Sequence, residues 1–204
     1  MSQSQSQSQS QSPASPVARR ALVTGASTGI GEATVRLLRS HGWDVVATAR
    51  RTERLKALAA GTGCAWVAAD LQRHDDVERL AAEVLDTGHV DAVVNNAGGA
   101  LGADPVADGS PREWLTMYER NVLAALRVTQ AFLPGMRERG GDVVFLTSTA
   151  AHDTYPGGAG YVAAKHGERI IANTLRLELV GEPVRIIEIA PGMVATSEFS
   201  LNRF

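Results

Sequence analysis

From Arg20 onward, short apolar runs alternate with longer segments of helical periodicity, and that alternation constrains the fold more than any other feature. The short runs are "ALVTG", "DVVATAR", "CAWVAAD", "VDAVVNNAG", "DVVFLTS" and "VRIIEIAPG". Between them lie "IGEATVRLLRSHG", "TERLKALAAG", "DDVERLAAEVLDTG", a helical stretch from Pro111 to Arg139, and "YVAAKHGERIIANTLRLELVG". Most of the short runs are apolar on successive residues, so both faces of each strand must be covered. Six such strands alternating with helices imply an α/β fold, a doubly wound parallel sheet. The 204 residues suit one domain with a sizeable core.

The first strand runs directly into "TGASTGIG" and then a helix. Glycines 25, 29 and 31 let the backbone turn sharply and approach a ligand closely. The helix start offers free N–H groups to phosphate, so Gly25, Ser27, Thr28, Gly29, Ile30 and Gly31 form a candidate pyrophosphate site. The same pattern also serves as a purely structural tight turn. The second strand ends in "ATARRTE", with Arg50 and Arg51 where a ribose-binding carboxylate would stand in an NAD site. Forked guanidinium groups suit a 2′-phosphate, so NADP(H) is expected over NAD(H). Arg50 is the expected main contact, assisted by Arg51 and Ser27, unless both arginines are only solvated surface charges.

A second candidate centre is "TYPGGAGYVAAKHG". Tyrosine ordinarily ionises near pH 10, and a fixed ammonium is the obvious partner to favour the phenolate. Tyr161 and Lys165 are four apart in a segment free of Gly and Pro, so a helix places them on one face. Tyr155 is separated from Lys165 by Pro156, Gly157, Gly158 and Gly160, which interrupt any shared helix. By itself the Tyr161–Lys165 pair also reads as an ordinary amphipathic pair.

A formal net charge of −2 gives no electrostatic case for nucleic acid or an anionic membrane. The five histidines are dispersed and no metal site is expected. Cys64 is the only cysteine, cannot form an intrachain disulfide, and fits a reducing compartment. Residues 1–18 form a Ser/Gln-rich tail with nothing to bury and are expected to be disordered. No signal sequence or membrane span is read, and the cytoplasm is the simplest setting.

In order, "TGASTGIG", "NNAG" (95–98), Asn121, "TSTA" (147–150), "YVAAK" (161–165) and "APGMVAT" (190–196) resemble the short-chain dehydrogenases/reductases over residues 20 to 204. That resemblance implies a Rossmann-type domain that moves a hydride between NAD(P) and a carbonyl or alcohol, as a homodimer or homotetramer. Tyr161 would be the general acid in reduction and the general base in oxidation. Lys165 would favour the phenolate and hold the nicotinamide ribose. Ser148 would polarise the substrate carbonyl, and Asn121 would hold a water linking Lys165 to solvent. Asn95, Ala97 and Gly98 would line the adenosine side, with Asp70 and Leu71 at the adenine. Pro191, Gly192, Val194 and Thr196 would cradle the nicotinamide. The rival roles are that Ser148 is only a helix-side cap and Asn121 only a polar residue in a loop-facing turn.

The ending "SEFSLNRF" is similar to that of the NADP-dependent 3-hydroxy acid dehydrogenase branch, with one extra residue before Glu198. That branch, which includes serine dehydrogenases and malonic semialdehyde reductases, implies small 3-hydroxy acids or semialdehydes as substrates. Arg203 would meet a substrate carboxylate, and Tyr155 would border the pocket. Family members continue past this point with a helix and a seventh strand, so residues 19–204 are expected to be a C-terminally incomplete domain. "VRIIEIA" would then be an apolar edge strand. A non-catalytic dinucleotide-binding or assembly protein is the alternative that this ending raises.

Overall fold

The computed structural model describes residues 18–195. All but the last residue of the Ser/Gln-rich tail, together with Thr196 and Arg203, lie outside the described residues. In chain order the elements are β1 (Arg20–Thr24), α1 (Gly29–Ser40), β2 (Asp44–Ala49), α2 (Thr52–Thr62), β3 (Ala65–Ala68), α3 (His74–Asp86) and β4 (Ala92–Asn95). There follow α4 (Pro111–Tyr118), a π-helical turn (Glu119–Leu123), α5 (Ala124–Arg139), β5 (Gly141–Leu146), a 3₁₀ turn (Thr149–Ala151), α6 (Ala159–Glu178) and β6 (Val184–Ile189).

The six strands form one parallel sheet in the order β3-β2-β1-β4-β5-β6. Strand β1 is wholly buried, with the apolar residues Ala21, Leu22 and Val23 between buried Arg20 and Thr24. Leu22 sits in register with Val46 on one side and Val93 on the other. Alternate residues then face opposite layers. Val23, Val45, Ala47 and Val94 pack with Val35 of α1 and with Leu55 and Leu58 of α2. Leu22, Val46, Val93 and Phe145 pack on the opposite face with Leu80 of α3, Phe132 of α5 and Ala172 of α6. Each fully buried Leu, Val or Phe contributes about 1.5–3 kcal/mol relative to exposure.

Strand order reverses at β1, because β2 leaves on one side and β4 returns on the other. That reversal opens a crevice at the strand C-termini, where open α/β sheets bind ligands. The helical stretch expected from Pro111 to Arg139 is continuous but irregular. Ser110 caps its start by accepting from Glu113 N, and Pro111 occupies the first turn. Its π turn brings the successive residues Asn121 and Val122 both inside. Helix α6 starts at Ala159, two residues before Tyr161, after the turn at Gly157 and Gly158.

Candidate active site

The glycine turn after β1 is shaped by contact with the end of β4. Gly25 has φ 63° and lies where a Cβ would meet Ala97 Cα and Asn96 Nδ2, both at 2.8 Å. A Cβ on Gly31 would stand 2.5 Å from the Gly25 carbonyl oxygen and 2.5 Å from Asn96 Nδ2. Thr24 and Asn96 hold these two loops together. Thr24 Oγ1 donates to Val94 O (3.1 Å) and accepts from the N–H groups of Asn96 (3.0 Å) and Ala97 (2.9 Å). Asn96 Nδ2 donates in return to Thr24 O at 2.8 Å. Neither Thr24 nor Asn96 was among the residues that sequence singled out; their pairing depends on β4 returning beside β1.

The other expected nucleotide residues lie along the same crevice edge. Ser27 is buried, and Arg51 donates to its Oγ through Nε at 3.2 Å and through a terminal nitrogen at 3.0 Å. Arg50 is exposed beside it. Asp70 follows β3, where its Oδ1 accepts from Gln72 and its N–H is bound by Asp76 Oδ2 at 2.8 Å. Leu71 is buried. Asn95 is also buried, with its amide donating to Thr129 of α5 at 3.0 Å, so its side chain ties β4 to α5.

The second half of the site lies at the ends of β4 and β5 and the start of α6. Ser148 follows β5, and its Oγ accepts from Ala150 N at 3.1 Å to cap the 3₁₀ turn. The cap uses an oxygen lone pair and leaves the hydroxyl proton able to donate elsewhere. Tyr161 and Lys165 lie one turn apart on α6, both buried. Asn121 from the π turn donates to Gly99 O and Met117 O, each at 2.8 Å, and accepts from Gly99 N at 3.1 Å. It thereby fixes the loop at Gly98, where a Cβ would collide with Asn121 Oδ1 and lie 3.4 Å from Lys165 Nζ. Pro191 accepts from Thr149 N at 2.9 Å, which joins the segment after β6 to the Ser148 turn. Gly192 and Val194 are exposed beyond it.

Lys165 itself is anchored by two bonds. Its Nζ donates to Leu146 O at 2.9 Å and to Glu168 Oε2 at 2.6 Å. Glu168 is fully buried, and burial pushes its carboxyl up to about 7, against the opposing pull of the Lys165 ammonium. Sequence did not single out Glu168; a Glu three residues after a Lys reads as a surface pair. Tyr155 is half-exposed with its ring against Gly158, and it lines a groove with Val106, Trp114 and His166. Tyr161 lines a different cleft, with Leu101, Trp114 and Met117. Among the described residues no group of three or more His, Cys, Asp or Glu could hold a metal ion, and no helix is long and apolar enough to cross a membrane.

A parallel sheet reversing at β1 and a glycine turn pressed against its neighbour define a Rossmann-type domain. A sequence profile described as short chain dehydrogenase matches residues 19–202, and the chain belongs to that family of oxidoreductases. An uncharacterized oxidoreductase of Mycobacterium tuberculosis is 52% identical over 187 residues, spanning 91% of this chain and 73% of the relative. An NADP-dependent 3-hydroxy acid dehydrogenase of Salmonella typhi is 39% identical over 187 residues, 90% of this chain and 75% of its own length. The closed form of a serine dehydrogenase complexed with NADP+ superposes with a TM-score of 0.88 at 38% identity, covering 91% of this chain and 76% of that one.

Proposed function

We propose that this chain is an NADP(H)-dependent oxidoreductase acting on a small carbonyl or alcohol, with 3-hydroxy acids or their semialdehydes as the substrate class. The observation that supports the reading is that Ser148 stands at the turn after β5 and Tyr161 with Lys165 near the start of α6, while Gly25 and Gly31 are packed too closely for a Cβ. The residues fit a dinucleotide. Gly25 and Gly31 allow the backbone to approach a pyrophosphate, which the free N–H groups at the start of α1 suit. NADP(H), when bound, supplies or accepts the hydride.

The protein's part is to bind, orient and move a proton. Tyr161 delivers its phenolic proton to the carbonyl oxygen in reduction and recovers it in oxidation. Ser148, whose oxygen is already fixed by Ala150 N, donates its hydroxyl proton to the same carbonyl oxygen. Lys165 holds the ribose with the ammonium proton not used by Leu146 and Glu168. Asn121 keeps the Gly98–Gly99 loop in place, and the second lone pair of its Oδ1 suits a bridging water.

Preference for NADP(H) over NAD(H) is supported by the Arg51–Ser27 contact and by Ala49 closing β2 with no carboxylate. Arg50→Ala and Arg51→Ala should each lower the NADPH-to-NADH ratio of kcat/KM by about tenfold, as for a lost charge-assisted hydrogen bond. A homodimer or homotetramer is the proposed assembly, which light scattering measures. Buried, unpaired Cys64 fits a reducing compartment, and the cytoplasm is the proposed setting.

NADPH oxidation is followed by absorbance with malonic semialdehyde and a panel of small aldehydes. Turnover is expected with the wild type and Tyr155→Phe, and a loss of roughly 10²–10⁴-fold in Tyr161→Phe. Turnover retained in Tyr161→Phe and lost in Tyr155→Phe overturns the assignment. Arg203→Ala should erase selectivity for acids over uncharged aldehydes, and unchanged selectivity removes Arg203 from the substrate site.

A further inference from the structure

A carboxylate buried against the lysine of the site is the least expected feature of this chain. Glu168 lies one turn beyond Lys165 on α6, has no exposed surface, and accepts from Lys165 Nζ at 2.6 Å. Its other oxygen, Oε1, is buried with no hydrogen-bond partner among the described residues. A glutamate has two oxygens to satisfy, and a buried oxygen with no protein partner carries a cost. Simple anchoring of Lys165 does not require it, since the Leu146 carbonyl already accepts from the same ammonium at 2.9 Å.

The charged surroundings are few. Lys165 and Arg169 come from the same helix as Glu168, Glu188 comes from β6, and His152 follows the 3₁₀ turn. Glu188 accepts from Thr147 Oγ1 at 2.9 Å and lies 3.4 Å from His152 Nε2 and 3.8 Å from Arg169 Nε. Arg169 also donates to Ala151 O at 3.4 Å. Glu188 is thus paired with Arg169, and with His152 when that imidazole is protonated. Glu168 is paired directly with Lys165, and Glu188 acts on it from farther off in the sense that also raises its carboxyl.

We propose that Glu168 is a positioning residue that sets the proton chemistry of Tyr161 by offsetting the Lys165 ammonium. The inference rests on the oxidoreductase reading of the site. With Glu168 ionised, the pair with Lys165 is neutral overall, and the pull of the ammonium on the Tyr161 phenolate is weakened. Tyr161 then keeps its proton to higher pH, which favours its work as an acid in carbonyl reduction. With Glu168 neutralised, the ammonium acts unopposed and the phenolate forms at lower pH. Burial pushes Glu168 up to about 7, which brings this change of charge within the working range of the site.

The test replaces Glu168 with glutamine, which keeps the shape and an acceptor for Lys165 but removes the charge. Folding is checked by circular dichroism. The alkaline limb of kcat/KM for carbonyl reduction should move down by about one pH unit, the size expected for one charge acting over a few ångströms through a partly polarisable interior. Glu168→Asp retains the charge and should keep the limb at its wild-type position while lowering kcat. A second readout needs neither substrate nor cofactor. The ultraviolet phenolate signal of Tyr161, taken as the difference between each protein and its Tyr161→Phe counterpart, should appear at lower pH in Glu168→Gln. If Glu168→Gln does not fold, the same comparison is made in Glu168→Asp, where onset must match the wild type. An unmoved limb and unmoved phenolate onset in folded Glu168→Gln, or equal displacement in Glu168→Asp, overturns the proposal. Absence of carbonyl turnover by the wild type fails the oxidoreductase reading instead, while the phenolate comparison still decides the role of Glu168.

Discussion

The two ends of the proposed site are built on different physics. At the glycine turn, shape and neutral hydrogen bonds do the work: Gly25 and Gly31 press against Asn96 and Ala97, and Thr24 binds both loops. At the lysine end, the position of the key group is set by a buried pair of opposite charges, Lys165 and Glu168. The first arrangement does not titrate between pH 5 and 8. The second does. One crevice therefore joins a binding end indifferent to pH with a chemical end that responds to it.

The contrast is broken most severely at Lys165. Lys165→Met should cut turnover by roughly 10²–10⁴-fold. At pH 8 it should also lower stability, because Glu168 loses its ammonium partner and must take up a proton to stay buried. Steady-state kinetics and urea denaturation measure the two losses. A variant that loses turnover but not stability would show that Glu168 is not held by the pair.

The next test uses the wild type alone. The carboxyl of Glu168 is raised from 4.5 to about 7 by burial, so the folded state binds its proton more tightly than the unfolded chain. The corresponding stability is fully present below about pH 4.5 and fades as pH rises through about 7, a change of about 3 kcal/mol over the window. Asp142 does not blur this result. The Arg185 guanidinium, helped by Arg19 and opposed by burial, holds its carboxyl below the usual range, so its contribution is lost only in stronger acid. Urea denaturation at pH 5 and pH 8 should show the decline, and Glu168→Gln should flatten it.

At the other end, Gly31→Ala should weaken NADPH binding by about tenfold, since its Cβ must displace the Gly25 backbone. Fluorescence titration should give the same factor at pH 6 and pH 8, and a factor that varies with pH erases the distinction between the two ends. The smallest effect is expected from Thr24→Val, which strands the N–H groups of Asn96 and Ala97 at a cost of about 1 kcal/mol. Thermal denaturation detects it.

Sequence made the architecture legible because each strand announces itself locally. A run such as "ALVTG" is apolar from Ala21 to Val23, and the helices between carry their own periodicity. The glycine turn and the Tyr161–Lys165 spacing were legible for the same reason, being short patterns read within one or two elements. What escaped depends on neighbours distant in sequence. Thr24 matters because β4, some seventy residues later, returns beside β1. Glu168 is buried because α6 lies across β5 and β6 at that point, and nothing in "KHGER" distinguishes it from a solvated helix face. Asn95 also depends on such a neighbour: its amide donates to Thr129 of α5, a bond that its own motif does not announce.

The π turn between α4 and α5 acts as a phase shifter. An α-helix advances about 100° per residue, so one surplus residue rotates everything before it relative to everything after. Here that rotation lets α5 keep Val128 and Phe132 on the sheet while Asn121 is aimed at Gly99 and Val122 at the core behind Tyr161. Deleting a single residue at this point would restore a regular helix and improve its internal bonding. It would also turn Asn121 away from its loop, so the more regular helix would be the one that could no longer hold the site together.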